Sequence, residues 1–181
     1  MLQNYYNYKY YSIMRVLLLD VYIPNAKYRI CKDTNGSYGT ANDYGDALFP
    51  KILSKIAKKT NFWPPIYLMY IGSVLRNQGH EIHYLNNIEN EDKYDCIIMS
   101  SSIVCHESEL NEIKRIKNKS KIIVVGSFVT NTPKNYLDLG VKVIFGEPEF
   151  YFLRNELSKI LENKNEQSFN SVLKDNQNID N

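Results

Sequence analysis

The sequence predicts a doubly wound α/β fold, in which a five-stranded parallel sheet carries helices on both faces. Five short runs are apolar and rich in Val, Ile and Leu, as expected of strands that are buried on both sides. Amphipathic helical patterns separate these runs, and turns of Gly, Ser and Pro follow three of them. Strands that alternate with helices form right-handed βαβ units, so the strands of the sheet run parallel.

The first predicted strand, Arg15–Asp20, is an uninterrupted apolar run that ends in an acidic residue. Four further strands are predicted at Glu81–Leu85, Tyr94–Met99, Lys121–Val125 and Val141–Phe145. Five strands that are joined through helices suit the flavodoxin-like order 2-1-3-4-5, which gives three layers of the α/β/α type.

The predicted helices share apolar residues at helical spacing, and several carry a start or stop signal. Pro50 lies in the first turn of one helix, while Gly79 ends another, in which Gly72 permits close packing on the sheet. Phe128–Thr132 is predicted as a loop. The predicted helices are Ala47–Lys59, Ile66–Gln78, Glu107–Lys117, Pro133–Leu139 and Pro148–Leu161.

The length of 181 residues suits one domain with ragged ends. We predict the folded domain over residues 14–161, a disordered segment or extension over 1–13, and a polar tail or truncated linker over 162–181. The segment Val21–Trp63 is longer than the basic fold requires. A connection of this length inside a compact domain is usually functional or disordered.

Bulk composition excludes several classes of function. A net charge of +2 gives no electrostatic case for binding nucleic acid or a membrane surface, and no apolar run reaches the ~20 residues of a membrane helix. The three cysteines, Cys31, Cys96 and Cys105, form no CxxC or zinc pattern, so we expect a reduced, cytoplasmic setting. No Ser/His/Asp order, phosphate loop or pair of carboxylates stands out as a catalytic motif.

Small and polar residues follow three successive predicted strands. They form the serine turn Ser100-Ser101-Ser102, the Gly126 turn Gly126-Ser127 and the Gly146 turn Gly146-Glu147-Pro148. Open parallel sheets bind their ligands outside the carboxyl ends of the strands. The sequence therefore predicts a ligand site along this edge of the sheet.

These motifs, in this order, resemble a known family. The strand Arg15–Asp20, the segment Pro65–Glu81 with its closing Leu-Arg-Asn-Gln-Gly-His-Glu, and the three turns are similar to the cobalamin-binding domain of B12-dependent radical SAM enzymes. The similarity extends over residues 14–157. It implies a cobalamin-binding module that presents the corrinoid to a radical SAM domain or partner protein, for methyl transfer or related radical chemistry.

Two departures from the family pattern bound this expectation. The CxxxCxxC motif of the radical SAM barrel is absent, so we expect no iron–sulfur cluster in this chain and no catalysis by the chain alone. The cobalt-ligating DxHxxG motif is replaced by Asp20–Asn25, which contains no histidine. Relatives in the radical SAM family often lack that histidine too, so the resemblance implies cobalt without a protein imidazole.

The resemblance implies that the three turns contact the cofactor, with the nucleotide tail between the serine turn and Gly126. Tyr22 is a candidate to cover the upper face of the corrin, and Phe128 a candidate to lie against the tail. Each feature also has a structural explanation. The serines suit a helix N-cap, Gly126 a simple turn, Phe128 a cap on the core, and the acids Glu147 and Glu149 a helix N-terminus.

One histidine lies near the predicted site. His106 follows the serine turn and is a candidate cobalt ligand, although a solvated or helix-capping imidazole is the explanation we favour. His80 and His83 are assigned structural roles, and no other metal ligand is predicted. The alternative function is a ligand-free flavodoxin-like scaffold or regulatory interaction domain, because this fold hosts many functions.

Overall fold

A computed structural model of the chain describes residues 12–25, 32, 44–60, 64–163 and 165–171. Within these ranges, six parallel strands form one sheet in the order β2-β1-β3-β4-β5-β6. The predicted fold class and the order 2-1-3-4-5 are confirmed. The strands are β1 (Arg15–Leu19), β2 (Glu81–Leu85), β3 (Cys96–Ser100), β4 (Ile122–Val125), β5 (Lys142–Phe145) and β6 (Ser168–Asn170).

The prediction of five strands is wrong by one. β6 pairs with β5 in the register Ile144↔Phe169, inside the range predicted as a polar tail. Phe169 is buried while its neighbours Ser168 and Asn170 are exposed, so a single apolar residue stands in a polar stretch. The sequence alone holds no strand signal there. The open edge of β5 supplies the pairing groups that make this segment a strand.

The described residues include seven α-helices, of which α2 to α7 lie on the two faces of the sheet. They are α1 (Leu48–Thr60), α2 (Ile66–Asn77), α3 (His106–Arg115), α4 (Ser127–Asn131), α5 (Lys134–Leu137), α6 (Pro148–Arg154) and α7 (Leu157–Glu162). None of these helices is both long and apolar enough to cross a bilayer.

Two apolar cores flank the sheet, because successive strand residues point to opposite faces. On one face the strands pack against α3, α4 and α5, in a core that includes Leu17, Ile97, Val124, Ile113, Val129 and Tyr136. On the other face they pack against α2, α6 and α7, in a core that includes Leu18, Ile98, Ile123, Leu68, Phe152 and Leu157. Burial on both faces explains why the central strands are continuous apolar runs.

Gly72 brings α2 into close contact with the sheet. A side-chain carbon at this position would lie 2.7 Å from Leu18 Cδ1 and 3.5 Å from Ile82 Cγ2. A larger residue would force the buried Leu18 side chain or the helix itself to move. The predicted packing role of Gly72 is confirmed.

Two helical predictions need correction. Residues 128–132, predicted as a loop, lie largely within α4, which begins directly after Gly126. The predicted helix Pro148–Leu161 is two helices, because Asn155 and Glu156 have extended backbone between α6 and α7. The Asn155 amide Nδ2 donates to the Tyr151 carbonyl at 2.9 Å, and such side-chain bonds to the backbone compete with continuation of a helix.

Candidate functional site

The carboxyl ends of β1, β3, β4 and β5 lie along one edge of the sheet, since all the strands run parallel. β1 lies between β2 and β3, so the chain moves outward in opposite directions from β1 and β3. The crevice between β1 and β3 is the topological switch point, where doubly wound sheets bind ligands. Asp20 follows β1 at this point, and Ser100 ends β3.

The Asp20 carboxylate is fully buried at the switch point, where it accepts three hydrogen bonds and forms an ion pair. Its Oδ1 accepts from Ser100 Oγ at 2.8 Å and lies 3.0 Å from Lys32 Nζ. Its Oδ2 accepts from the hydroxyl groups of Tyr22 at 2.5 Å and Tyr84 at 2.7 Å. Both oxygens of the carboxylate therefore have partners within the chain.

A second fully buried carboxylate, Glu109 of α3, approaches the same lysine. Its Oε1 accepts from Lys32 Nζ at 3.0 Å and from Ser102 Oγ at 3.1 Å. Its Oε2 accepts from the Tyr136 hydroxyl at 2.8 Å and the Ser102 backbone N–H at 3.2 Å. We call Asp20, Lys32 and Glu109 the ionic cluster.

Lys32 carries the positive charge of the ionic cluster, and its side chain is only 1% exposed. Burial acts to lower the pKa of Lys32, but the charges of Glu109 and Asp20 outweigh it, so the pKa is raised. The ammonium group therefore stays protonated at neutral pH. A protonated lysine is not a nucleophile, so the cluster is suited to holding chain segments together rather than to covalent chemistry.

The surrounding tyrosines act as neutral hydrogen-bond donors. Burial, and then the charge of Asp20, raise the pKa of Tyr22 and of Tyr84. Burial, and then the charge of Glu109, raise the pKa of Tyr136. All three hydroxyls thus keep their protons near neutral pH and stabilise the carboxylates they contact.

The serine turn is buried, and its hydroxyl groups bond within the chain. Ser101 Oγ donates to the Val125 carbonyl at 2.9 Å and accepts from the Val129 N–H at 3.0 Å, which caps α4 from another loop. Ser102 Oγ also accepts from the Cys105 N–H at 3.1 Å, next to the start of α3. The serines do not cap α3, whose N-cap residue is Cys105 and has no side-chain cap bond; the cap that is present is that of Ser101 on α4. Whether the serines also contact a ligand stays a prediction.

Gly126 has a left-handed φ of +117° and lies in a crowded position. A side-chain carbon there would be 2.8 Å from the Tyr67 hydroxyl and 3.1 Å from both the Ser101 carbonyl and Ser101 Oγ. Glycine is thus required by conformation and by space. The groups that approach it are this chain's own Ser101 and Tyr67, along the predicted path of the nucleotide tail.

The Gly146 turn joins β5 to α6, and its backbone groups also bond within the chain. Gly146 has a φ of +77°, and its N–H donates to Thr130 Oγ1 at 3.2 Å. The Glu147 N–H donates to Ser171 Oγ at 2.7 Å, and Pro148 occupies the first turn of α6.

One side-chain atom near this turn has no such partner. Glu149 Oε2 is buried without a hydrogen-bond partner in the described part of the chain, and burial raises the pKa of Glu149.

His106 lies close to the site but is engaged by neighbouring side chains. Its Nδ1 is 3.0 Å from the Tyr136 hydroxyl, and its Nε2 is 3.3 Å from Asn135 Nδ2. Its ring packs edge-on against Phe128 and Tyr136, with centroids 5.0 Å and 5.4 Å apart. Ser127, the first residue of α4, is exposed beside Phe128.

The described residues contain no group of three or more His, Cys, Asp or Glu side chains arranged to hold a metal ion. Cys96 and Cys105 are buried and free, and burial raises the pKa of both thiols. Cys31 and much of Val21–Trp63 lie outside the described residues, as do residues 1–11 of the predicted extension.

Sequence reasoning missed the ionic cluster as a unit. One signal was available for Glu109, which lies four residues before the core residue Ile113 and therefore on the apolar side of α3. Asp20 was visible as an acid at the end of a buried run. Lys32 carried no signal, because it stands in a polar stretch without periodicity.

Comparisons with protein-family models, with curated proteins and with solved structures found no match to this chain. The functional assignment therefore depends on the resemblance of the motifs and on the geometry of the carboxyl edge.

Proposed function

We propose that this chain is a cobalamin-binding module. The observation that carries the proposal is the arrangement of the three turns, which follow β3, β4 and β5 on adjacent strands of one edge. Their order and spacing are those of the resemblance, and Gly126 is a position that tolerates no side chain. The module presents the corrinoid to a radical SAM domain or partner, in a reducing cytoplasmic setting.

The cofactor fits this edge on two conditions. Tyr67 projects from α2 to the Gly126 position, and the carbonyl and Oγ of Ser101 both lie 3.1 Å from it. The nucleotide tail can therefore pass between Gly126 and the serine turn only when the phenol rotates away and the serine turn shifts. Tyr67 is partly buried, and its hydroxyl is the far end of a side chain rather than backbone. When bound, cobalamin supplies cobalt chemistry; this chain's residues hold and orient it, without an imidazole from Asp20–Asn25.

The test is retention of cobalamin by the purified chain. The protein is mixed with hydroxocobalamin and desalted, and its visible spectrum is recorded; we expect about one corrinoid per chain. Gly126→Leu should abolish retention, because the leucine fills the path of the tail. Tyr67→Ala should bind at least as tightly as the wild type.

Gly79→Leu is the matched control. Gly79 also has a positive φ, of +95°, but no atom lies within 4 Å of its side-chain position, which is at the opposite edge of the sheet. It places a side chain at a positive φ without the contacts that crowd Gly126, so it should retain cobalamin. Colourless wild-type protein, or equal loss in both glycine variants, would count against the proposal.

A second candidate, a ligand-free scaffold or regulatory interaction domain, is favoured by one observation. The switch point is filled by the side chain of Lys32, and the polar atoms of the ionic cluster are satisfied inside the chain. A domain with no ligand needs such internal partners, because buried polar groups without them are costly. Partner binding by cofactor-free protein, unchanged by hydroxocobalamin, would support this candidate.

A further inference from the structure

The apolar face of α1 is directed to solvent. It consists of large side chains spaced one, four, five and eight residues after the first, which share one side of a helix. Their exposed fractions run from 43% to 79%, for Leu48, Phe49, Ile52, Leu53 and Ile56. Contiguous exposed apolar residues of this size mark interaction sites in soluble proteins.

The orientation of α1 is set by its opposite side. Ser54 and Ala57 are 4% and 8% exposed, so the small residues form the buried side of the helix. Ser54 Oγ accepts from the Tyr44 N–H at 2.8 Å and donates to the Pro50 carbonyl at 2.9 Å. An amphipathic helix normally buries its apolar stripe. Here the small residues are buried, and the stripe is left for another surface.

The charged residues of α1 are all positive. The helix contains four lysines and no acidic residue, and Lys51 and Lys55 are exposed beside the apolar face. Lys51 lies 3.8 Å from the Asp46 carboxylate, but both groups are solvated, so this pair contributes little. The lysines thus remain available to a carboxylate on an approaching surface.

We propose that the apolar face of α1 docks into an apolar groove of another protein, with Asp or Glu side chains on the rim opposite Lys51 and Lys55. Helix-in-groove recognition uses apolar anchors at this spacing. The inference is independent of cobalamin binding, since no residue of the three turns takes part.

The charges favour this occupant over two others. A symmetric pairing of two copies would lay α1 against α1, and residues 48–60 offer no carboxylate to meet the lysines. A bilayer is the less favoured occupant, because Asp46 is fully exposed just before the helix and would meet the same anionic headgroups as the lysines.

The experiment is site-specific photo-crosslinking in cells of the organism that encodes the chain. Phe49→p-benzoylphenylalanine keeps an aromatic side chain on the face, and Lys114→p-benzoylphenylalanine, on the exposed side of α3, is the control. We expect one protein to be crosslinked from position 49 only. That protein is then purified, and its Kd for the full chain is measured by calorimetry.

Variants of the face decide whether the binding is the one proposed. Ile52→Glu should weaken the Kd by about 30-fold or more, as expected of a central apolar anchor. Lys51→Glu with Lys55→Glu should weaken it by about tenfold and flatten its dependence on salt. These residues are exposed, so circular dichroism should show the wild-type fold in each variant.

Several outcomes would overturn the proposal. They are the absence of a crosslinked protein, a crosslink to a second copy of the chain, and a partner whose Kd is unchanged by Ile52→Glu. Flotation of the wild-type chain with phosphatidylcholine–phosphatidylglycerol vesicles, lost in Ile52→Glu, would assign the face to a bilayer instead. Cobalamin retention by Ile52→Glu, measured separately, keeps this inference distinct from the proposed function.

Discussion

The two edges of the sheet both use charged side chains to tie loops together, but in different surroundings. At the carboxyl edge, the ionic cluster of Asp20, Lys32 and Glu109 is at most 1% exposed. At the amino edge, Glu91 accepts from the Lys117 N–H at 3.0 Å with each carboxylate oxygen, beside an open cleft. The Arg115 side chain nearby is 58% exposed.

The comparison shows that the number of charged side chains at an edge does not determine how much they contribute to the free energy of unfolding. A buried charge has lost its hydration, so removal of its partner leaves a cost that water cannot offset. When one partner of an exposed ion pair is removed, water hydrates the remaining charge, so the free energy of unfolding changes little. The carboxyl edge therefore depends on its internal partners far more than the amino edge does, and variants can measure the difference.

The largest effect is expected for Lys32→Met. The substitution leaves two buried carboxylates without a counter-charge and should lower the free energy of unfolding by about 3–5 kcal/mol, as measured by urea denaturation at pH 7. Lys114→Met, an exposed lysine on α3, should change it by less than about 0.5 kcal/mol.

A double variant checks the cause of that loss. Lys32→Met with Glu109→Gln removes one negative charge as well, so part of the lost stability should return. A double variant no more stable than Lys32→Met alone would show that Lys32 acts through packing of its aliphatic stem and not through charge.

The second largest effect is expected at alkaline pH, where the stability contributed by the carboxyl edge should be lost. Lys32, Tyr22, Tyr84 and Tyr136 all have pKa values raised by folding. Their contribution to stability is complete below the unfolded values, about 10 for Tyr and about 10.4 for Lys, and is lost as the pH rises through the folded values. We expect the free energy of unfolding to fall above about pH 10, and less steeply in Lys32→Met. Equal slopes for the two proteins would contradict this assignment.

A smaller loss is expected for Ser101→Ala. The Val129 N–H in the first turn of α4 would lose its buried acceptor, which should lower the free energy of unfolding by about 1–3 kcal/mol. Ser120→Ala is the matched control at the amino edge, where the Ser120 hydroxyl donates to Asn118 Oδ1 at 2.7 Å in an exposed position. Denaturation curves that coincide for the two variants would remove the distinction between the edges.

The smallest effect is expected for Glu91→Gln. The side-chain amide oxygen of this variant can still accept the hydrogen bond from the Lys117 N–H, and the change removes only a solvated negative charge. The free energy of unfolding should fall by less than about 1 kcal/mol, and the difference should shrink further in 0.5 M salt. A loss as large as that of Lys32→Met would mean that exposure does not govern the contrast.

Most of the fold could be predicted from the sequence because its signals are local. β2 was predicted with its observed bounds, and α2 begins after Pro65 and ends close to Gly79, as the capping residues indicate. α4 could not be predicted, because its cap comes from Ser101, 28 residues before Val129. The residues of the candidate turns could be recognised from the sequence, but the side chains that fill the space between the turns could not.

Local pattern thus settled five of the strands, the helices between them and the edge on which small and polar residues collect, since periodicity and turn chemistry act over a few neighbours. The strand order followed from the fold class that this alternation favours. Tertiary structure alone decided that Lys32 meets Glu109 across 77 positions, and that Tyr67 reaches Gly126. It also decided that α1 packs through Ser54 and leaves its apolar side outward. The physical reason is that these contacts depend on desolvation and space in the assembled fold, which have no period in the chain.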